Sequence, residues 1–347
     1  MREIKFSQAI SEGIVQAMET DDSVFLFGVG VDDPKGIFGT CLAANKRFGP
    51  NRVFDIPISE PALTGMAIGA SLLGMRPVMV HARNDFMLLT LDQLVNNASK
   101  WRYGGGHSHV PITIRGIVGR GWGQGPQHSQ SLQATFAHFP GLKVVMPATP
   151  HDAKGLMIGS IRDNSPVIFI EHRRCYDQVG PVPENYYEEP LGKAVVRLKG
   201  KDVTIVATSL MVSESLKAAE SLLKQGISIE VVDLRTVKPM DEETILESVR
   251  RTGRLIVADT SWQSFGVGSE IISRVTTKIF SCLKAAPRLV ASPDAPSPTS
   301  FALERLFYPG PDEITVAVLE TIKGKPVSCP SPGKSGRPID EDFRGPF

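Results

Sequence analysis

The chain has 347 residues, 41% of them hydrophobic and 22% charged, the composition of a soluble globular protein long enough for two domains. A formal net charge of +1 offers no strongly basic face for nucleic acid, and no run of about 18 apolar residues marks a membrane span. Cys41, Cys175, Cys282 and Cys329 lack Cys-x-x-Cys spacing, and no signal-peptide core follows Met1; neither a disulfide framework nor a structural zinc site is expected, and a reducing, cytoplasmic setting is.

Residues 6–20 read as an amphipathic helix with Ile10, Ile14 and Ala17 on one side. The apolar run 23–28 ends in Gly28 and predicts a buried strand, followed by partial helix within 35–48. A second strand is expected over 52–58, then a helix rich in small residues after Glu60. Strands at 76–81, 110–115, 142–147 and 166–171 alternate with helices at 86–100 and 152–162. Continuous apolar strands between helices indicate a parallel sheet covered on both faces. Residues 177–190 hold Pro181, Pro183 and Pro190, clustered acids and paired tyrosines, and read as a linker. Beyond them a second unit has strands at 202–207, 228–232 and 254–258 and helices at 213–225, 241–252 and 268–280. The expected fold class is α/β: two doubly wound domains, residues 1–176 and 191–325, with 326–347 a disordered tail.

Chemistry concentrates at two places. In Asp55-Ile56-Pro57-Ile58-Ser59-Glu60-Pro61, Glu60 stands where an extended segment turns into a helix. Pro61 suits a first helical turn, where its missing N–H costs nothing. The small residues behind it (Gly65, Ala67, Gly69, Ala70, Ser71) permit close packing, which would hold the carboxylate rigidly for proton transfer. The same carboxylate also reads as a helix-terminus charge. The second place is the glycine-rich loop 119–130, ending in Gln127-His128-Ser129-Gln130. It matches neither a dinucleotide fingerprint nor a phosphate loop, so His128 stands as an acid, a base or an oxyanion donor, or as an incidental loop histidine. Phe86, behind Asn84-Asp85, reads as core or as a ligand platform. His107 and His109 have metal-like spacing without a third ligand, and Asp152, Asp163 and Glu171 read mainly as caps and solvated positions.

The order of these segments resembles a known family. Phe54-Asp55-Ile56-Pro57-Ile58-Ser59-Glu60 is similar to the Asp-Thr-Pro-Ile-Ser-Glu segment of β subunits of two-chain 2-oxo acid dehydrogenase E1 components, the pyruvate, branched-chain and acetoin dehydrogenases of the transketolase-like superfamily. The resemblance continues through Asp85-Phe86, Asp92-Gln93-Leu94-Val95-Asn96, Gln127-His128-Ser129-Gln130-Ser131, His138 to Val145 and Asp152-Ala153-Lys154-Gly155-Leu156. In the second unit it takes in Val232-Asp233-Leu234-Arg235-Thr236 and Pro293-Asp294-Ala295-Pro296, so that it spans roughly residues 3–325.

That resemblance implies a pyrimidine-binding domain and a transketolase C-terminal-like domain sharing thiamine diphosphate with an α subunit in an α₂β₂ heterotetramer. The α subunit would hold the diphosphate through Mg²⁺, which fits the absence of a phosphate loop and a Gly-Asp-Gly motif here. It implies that Glu60 hydrogen-bonds the cofactor's pyrimidine, that Phe86 lies beside that ring, and that His128 stands near the substrate. Carbonyls around Ile112, Ser160, Ile161, Asp163 and Ser165 match a K⁺ site of some relatives. The implied reaction is oxidative decarboxylation of a small 2-oxo acid, pyruvate-like by default, with acyl transfer to a lipoyl-bearing E2. A carboligating, transketolase-like synthase and a non-catalytic assembly partner are the other readings. The chain also departs from the pattern. Val29 and Val80 stand where many relatives carry acids, His81 follows, and Arg83 adds a charge that reads either as an anion receptor or as a surface partner of Asp85.

Overall fold

The structure is a computed structural model describing residues 2–33, 35, 37–105, 108–120 and 124–327. Its strands are β1 (Arg2–Lys5), β2 (Val24–Gly28), β3 (Val53–Phe54), β4 (Arg76–His81), β5 (Thr113–Val118), β6 (Lys143–Val145), β7 (Val167–His172), β8 (Val179–Val182), β9 (Val195–Leu198), β10 (Val203–Ala207), β11 (Ile229–Asp233), β12 (Thr236–Lys238), β13 (Leu255–Trp262) and β14 (Arg288–Ser292). The helices are α1 (Phe6–Thr20), α2 (Leu42–Phe48), α3 (Glu60–Leu72), α4 (Ser99–Gly105), α5 (Gln133–His138), α6 (Pro150–Arg162), α7 (Leu210–Leu223), α8 (Glu242–Thr252), α9 (Val267–Ile279), α10 (Phe301–Phe307) and α11 (Pro311–Lys323).

Seven strands form one sheet in the order β12-β6-β7-β5-β4-β2-β3, and five form another in the order β14-β13-β10-β11-β9. Pairing is parallel except at β12 and β9, which run antiparallel to β6 and β11. Every residue of β2, β5 and β7 is buried, as their unbroken apolar runs require of strands covered on both faces. Phe27, Met79, Ile114 and Ile168 fill one face, and Leu26, Val78 and Phe169 fill the other, beneath α1 and α6.

From β2 the chain passes to β3 on one side and then to β4 on the other, so the strand order reverses between β2 and β4. Open α/β sheets bind ligands outside the carboxyl ends of their strands at such a point. The two strands close tightly there: a Cβ on Gly28 would lie 2.4 Å from the Val80 carbonyl oxygen, so only glycine fits. The segments after β2, β3, β4 and β5 all open onto this edge, and they carry the residues singled out from the sequence.

Several elements depart from expectation. The strand expected over 52–58 pairs only at Val53–Phe54; beyond it Asp55 takes the Gly30 N–H at 2.7 Å and the chain runs free to α3. The helix expected over 86–100 is a tight 3₁₀ segment at Asn84–Thr90, a π-helical turn at Gln93–Ala98 and then α4. The stretch read as a linker contains β8, which pairs with the unanticipated β1. Buried Lys154 holds its following carbonyls at Pro183, Glu184 and Asn185. β12, from the second half of the chain, completes the first sheet beside β6. The expected disordered tail, from 328 on, lies outside the described residues.

Candidate functional site

α3 starts at Glu60, directly followed by Pro61, after a Ser59 that makes no side-chain cap. The Glu60 carbonyl accepts the Thr64 hydroxyl at 2.7 Å, and that hydroxyl also lies 3.4 Å from the Met79 sulfur on β4. The helix start is thereby fixed to the sheet. The Glu60 side chain is half-buried and its carboxylate makes no hydrogen bond or ion pair among the described residues. α3 packs on the 3₁₀ segment that carries Phe86.

Phe86 and His128, 42 positions apart, meet edge to face with ring centroids 5.5 Å apart and an interplanar angle of 86°. Both are half-buried. Asp85, beside Phe86, holds the same loop: its Oδ1 accepts from Gln130 N at 3.2 Å and Gln130 Nε2 at 2.9 Å. At the other end of the loop, Arg83 Nε donates to Gln124 Oε1 at 2.8 Å. The second half of the chain closes the loop from outside. Gly125, at φ +64°, abuts Thr299, Ser297 Oγ donates to the Ser129 carbonyl, and Gln133 Nε2 donates to Asp259 Oδ1 at 2.6 Å. Trp262 Nε1 in turn donates to the Ala295 carbonyl within Pro293-Asp294-Ala295-Pro296, and Asp294 accepts from Ser264. The sequence reading gave no role to Gln124 and Gln130 within the loop, or to Gln133 beyond it, since an amide in a polar loop carries no distinguishing pattern. The sequence motif at 293–296 was the signal that could have found the second half's part.

Arg83 is not a surface residue and does not pair with Asp85. It is 7% exposed, donates to the Ala82 carbonyl at 2.6 Å as well as to Gln124, and lies 5.1 Å from the centroid of Phe38. Val80 is buried at the end of β4, whereas Val29 is 39% exposed. Burial holds His81 in its neutral form, its pKa pushed down to about 4, and holds His172 well below the ordinary imidazole range.

The other residues singled out lie elsewhere. Glu171 is a fully buried partner of Arg115, and Asp152, 1% exposed, accepts from Arg197 and Arg235. Neither is the solvated position expected from sequence, because each answers a buried guanidinium that a linear reading does not reveal. Asp163 is the partner of Lys143. Around the expected K⁺ carbonyls, Arg76 Nη1 donates to Ile161, Arg162 and Asp163, each at 3.1 Å. Thr113 Oγ1 donates to the Ser160 carbonyl at 3.1 Å, Val167 N–H to the Ile112 carbonyl at 2.9 Å, and Ser165 N–H to the Asp163 carboxylate at 2.8 Å. His107 is outside the described residues, and His109 is exposed. Among the described residues, His151, Asp152 and Glu189 approach as three ligands would, but the arginines already engage both acids.

Comparison with known proteins gives concordant matches. A family model for the transketolase pyrimidine binding domain matches residues 2–178, and one for the transketolase C-terminal domain matches 192–314. The chain is 44% identical, over 93% of its length and 98% of the relative's, to the β subunit of acetoin:2,6-dichlorophenolindophenol oxidoreductase of Cupriavidus necator. It is 38% identical to the 2-oxoisovalerate dehydrogenase β subunit of Bacillus subtilis, covering 92% of this chain and 99% of that one. It is also 38% identical to the pyruvate dehydrogenase E1 β subunit of Rickettsia felis, covering 91% and 97%. A solved split-gene transketolase, described as an inactive β4 tetramer, shares the fold with a TM-score of 0.75 at 23% identity, covering 92% of this chain and 98% of that one.

Proposed function

Because this chain belongs to the family of transketolase-like β subunits of 2-oxo acid dehydrogenase E1 components, we propose that it forms the pyrimidine side of a thiamine diphosphate site and, with an α subunit, decarboxylates a 2-oxo acid and passes the acyl group to a lipoyl-bearing E2. The observation that carries this reading is Glu60, a carboxylate fixed at the head of α3 with no partner among the described residues, on the helix that packs against the Phe86 segment. A carboxyl group so placed fits a heterocycle that needs a hydrogen-bond partner on a ring nitrogen, and the half-buried Phe86 offers a flat apolar neighbour for it.

The bound cofactor supplies the electron sink that decarboxylation of a 2-oxo acid requires. Glu60 holds or shares the proton at the pyrimidine edge, where a positioned acid contributes about 10²–10⁴-fold. The Phe86 ring keeps water from one side of that edge. His128, braced by Phe86 and by the flanking Ser129 and Gln130 contacts, presents an imidazole to the substrate carbonyl and carries a proton to or from its oxygen. The diphosphate and its Mg²⁺ are assigned to the α subunit of an α₂β₂ assembly. A K⁺ ion at the carbonyls of Ser160, Ile161 and Asp163 would share them with the Arg76 guanidinium and Thr113, and has no chemical step here. The division into units 1–176 and 191–325 belongs to the same proposal. Among the described residues no helix is long and apolar enough to cross a membrane.

The test is reconstitution with the cognate α chain, Mg²⁺ and thiamine diphosphate, measuring CO₂ release from 2-oxo acids and acylation of a lipoyl domain. Cofactor-dependent release with acylation supports the whole reading. Release followed by carbon–carbon bond formation with an added aldehyde, without lipoyl acylation, would replace it with a carboligase.

A further inference from the structure

The five residues 81–85, just past the point where β2 and β4 diverge, hold an unusual set of unmet polar groups. Among the described residues, the side chain of Asn84 is fully buried with neither Oδ1 nor Nδ2 bonded, and His81 Nε2 and Asp85 Oδ2 are likewise buried without a partner. Buried polar atoms are nearly always satisfied, and a cluster of exceptions marks a place where something else completes the structure. In their midst Arg83 is 93% buried by the measure of its 7% exposure, and no carboxylate lies within ion-pair distance of it among the described residues. Its bonds go to two neutral oxygens, those of Ala82 and Gln124, through Nη1 and Nε. Among the described residues Nη2 makes none, so the outer edge of the fork keeps donors for an anion.

A second guanidinium stands near: that of Arg173, which pairs with Asp177 at 3.9 Å, lies 4.8 Å from the same Phe38 ring that Arg83 faces at 5.1 Å, and valine occupies positions 29 and 80. A buried cation so placed is costly unless an anion answers it; the nearby Asp85 carboxylate favours the charged form but bonds through Oδ1 to Gln130 and not to Arg83. The group also adjoins the candidate site: a Cβ on Gly119 would lie 3.1 Å from Arg83 Nε and 2.0 Å from the His128 carbonyl oxygen, so these two parts flank one glycine.

We propose that Arg83, with the unpartnered side chains of Asn84 and His81 beside it, is a specificity-determining residue that receives a negatively charged far end of the substrate, so that this enzyme prefers a 2-oxo acid carrying a second carboxylate or a phosphate over one with an apolar tail. This rests on the thiamine diphosphate reading above. The donor left on Nη2 takes the anion, Gln124 fixes the guanidinium plane from behind, and Asn84 supplies either a donor or an acceptor to a neighbouring oxygen.

The experiment uses the reconstituted αβ holoenzyme with Mg²⁺ and thiamine diphosphate. kcat and KM are measured for 2-oxoglutarate and 3-phosphohydroxypyruvate, each against 2-oxobutanoate, in the parent and in Arg83→Gln. The expected result is a preference for one anionic substrate over 2-oxobutanoate that falls about 10- to 100-fold in Arg83→Gln through KM, the size of a charged hydrogen bond. A parent that prefers 2-oxobutanoate, or a variant impaired equally on all three, overturns the proposal. Glutarate and inorganic phosphate binding to the same holoenzyme by calorimetry gives a second readout independent of turnover. Binding of either that is lost in Arg83→Gln supports an anion subsite, and binding of neither, or binding that survives, overturns it. Titration with thiamine diphosphate tells the two failures apart, since cofactor binding without an anion preference sinks only the Arg83 assignment.

Discussion

Arg115 on β5 and Glu171 on β7 form a two-pronged ion pair inside the first sheet, with Nε and Nη2 donating at 2.6 and 3.0 Å and neither side chain exposed at all. Tyr176 donates to the same carboxylate at 2.6 Å, and Thr40 Oγ1 takes an N–H of Arg115 at 3.0 Å, so the pair ties the glycine-rich segment after β2 to the end of β7. Removing one partner of such a pair strands the other charge in the core, at a cost of about 3–5 kcal/mol. Glu171→Ala is therefore expected to lower the unfolding midpoint sharply in denaturant titration. The double variant Arg115→Met with Glu171→Leu, which strands no charge and leaves only the neutral Tyr176 and Thr40 hydroxyls without these partners, is expected to recover much of the loss. A single variant as stable as the parent would show that the guanidinium finds water or another acid.

The Glu60 carboxylate makes no hydrogen bond or ion pair among the described residues, so its replacement removes chemistry and little else. Glu60→Gln is expected to leave the unfolding midpoint within about 0.5 kcal/mol of the parent, as surface-like changes do. In the reconstituted enzyme, cofactor-dependent turnover is expected to drop by about 10²–10⁴-fold. Circular dichroism and steady-state rates on the same preparation settle it, and near-normal turnover would remove Glu60 from its assigned role.

Much of the fold was readable because its strands are doubly covered. The apolar runs at β2, β4, β7, β10 and β11 can only be interior strands, and the helices between them carry the period that buries one side. Where pairing partners decide, the linear pattern is silent. β12 is three residues from the second half of the chain that complete the first sheet, and β1 exists only because β8 passes beside it. The helix expected after Phe86 breaks into 3₁₀ and π turns, whose hydrogen bonds a side-chain period does not report. At the site, Glu60, Phe86 and His128 were visible through motif and resemblance, and the structure brings the last two into ring contact. The charge around them was not visible. Burial of Arg83, and the answering of Asp152 by Arg197 on β9 and Arg235 just past β11, both more than 40 residues away, depend on long-range packing. The matched segment Val232 to Thr236 shows why motif residues need not be catalytic: its Asp233 and Arg235 clamp the second sheet onto α6 and Glu189.

The loop carrying His128 leaves no room at its root. A Cβ on Gly119 would sit 2.0 Å from the His128 carbonyl oxygen, a backbone atom that cannot swing aside. Gly119→Ala is expected to push residues 124–130 outward and to separate His128 from Phe86. The sheet beneath, buried throughout β5, would keep its pairing. The predicted outcome is a folded protein that still binds the α subunit, with turnover reduced by about 10²-fold, the usual effect of a misplacement near 1 Å at a reacting group. Unchanged kinetics would mean that the loop tolerates displacement and that His128 does not need its position.

Acid stability provides a test of the buried imidazoles. His81 is 5% exposed, its Nε2 has no partner, and burial lowers its pKa from 6.5 to about 4. His172, 2% exposed with Nδ1 accepting the Arg174 N–H, is displaced in the same direction. In the unfolded chain both take up a proton near pH 6.5, while in the folded chain they resist it, so between pH 6.5 and about 4 the unfolded state binds more protons. Stability must then fall as the pH is lowered through that window, and for His81 alone the loss approaches about 3 kcal/mol at its lower end. His81→Phe removes that titration and the unbonded nitrogen together. Its urea midpoint is expected to vary less between pH 7 and 4.5 than that of the parent, and equal slopes in the two proteins would show that His81 is hydrated in the folded state.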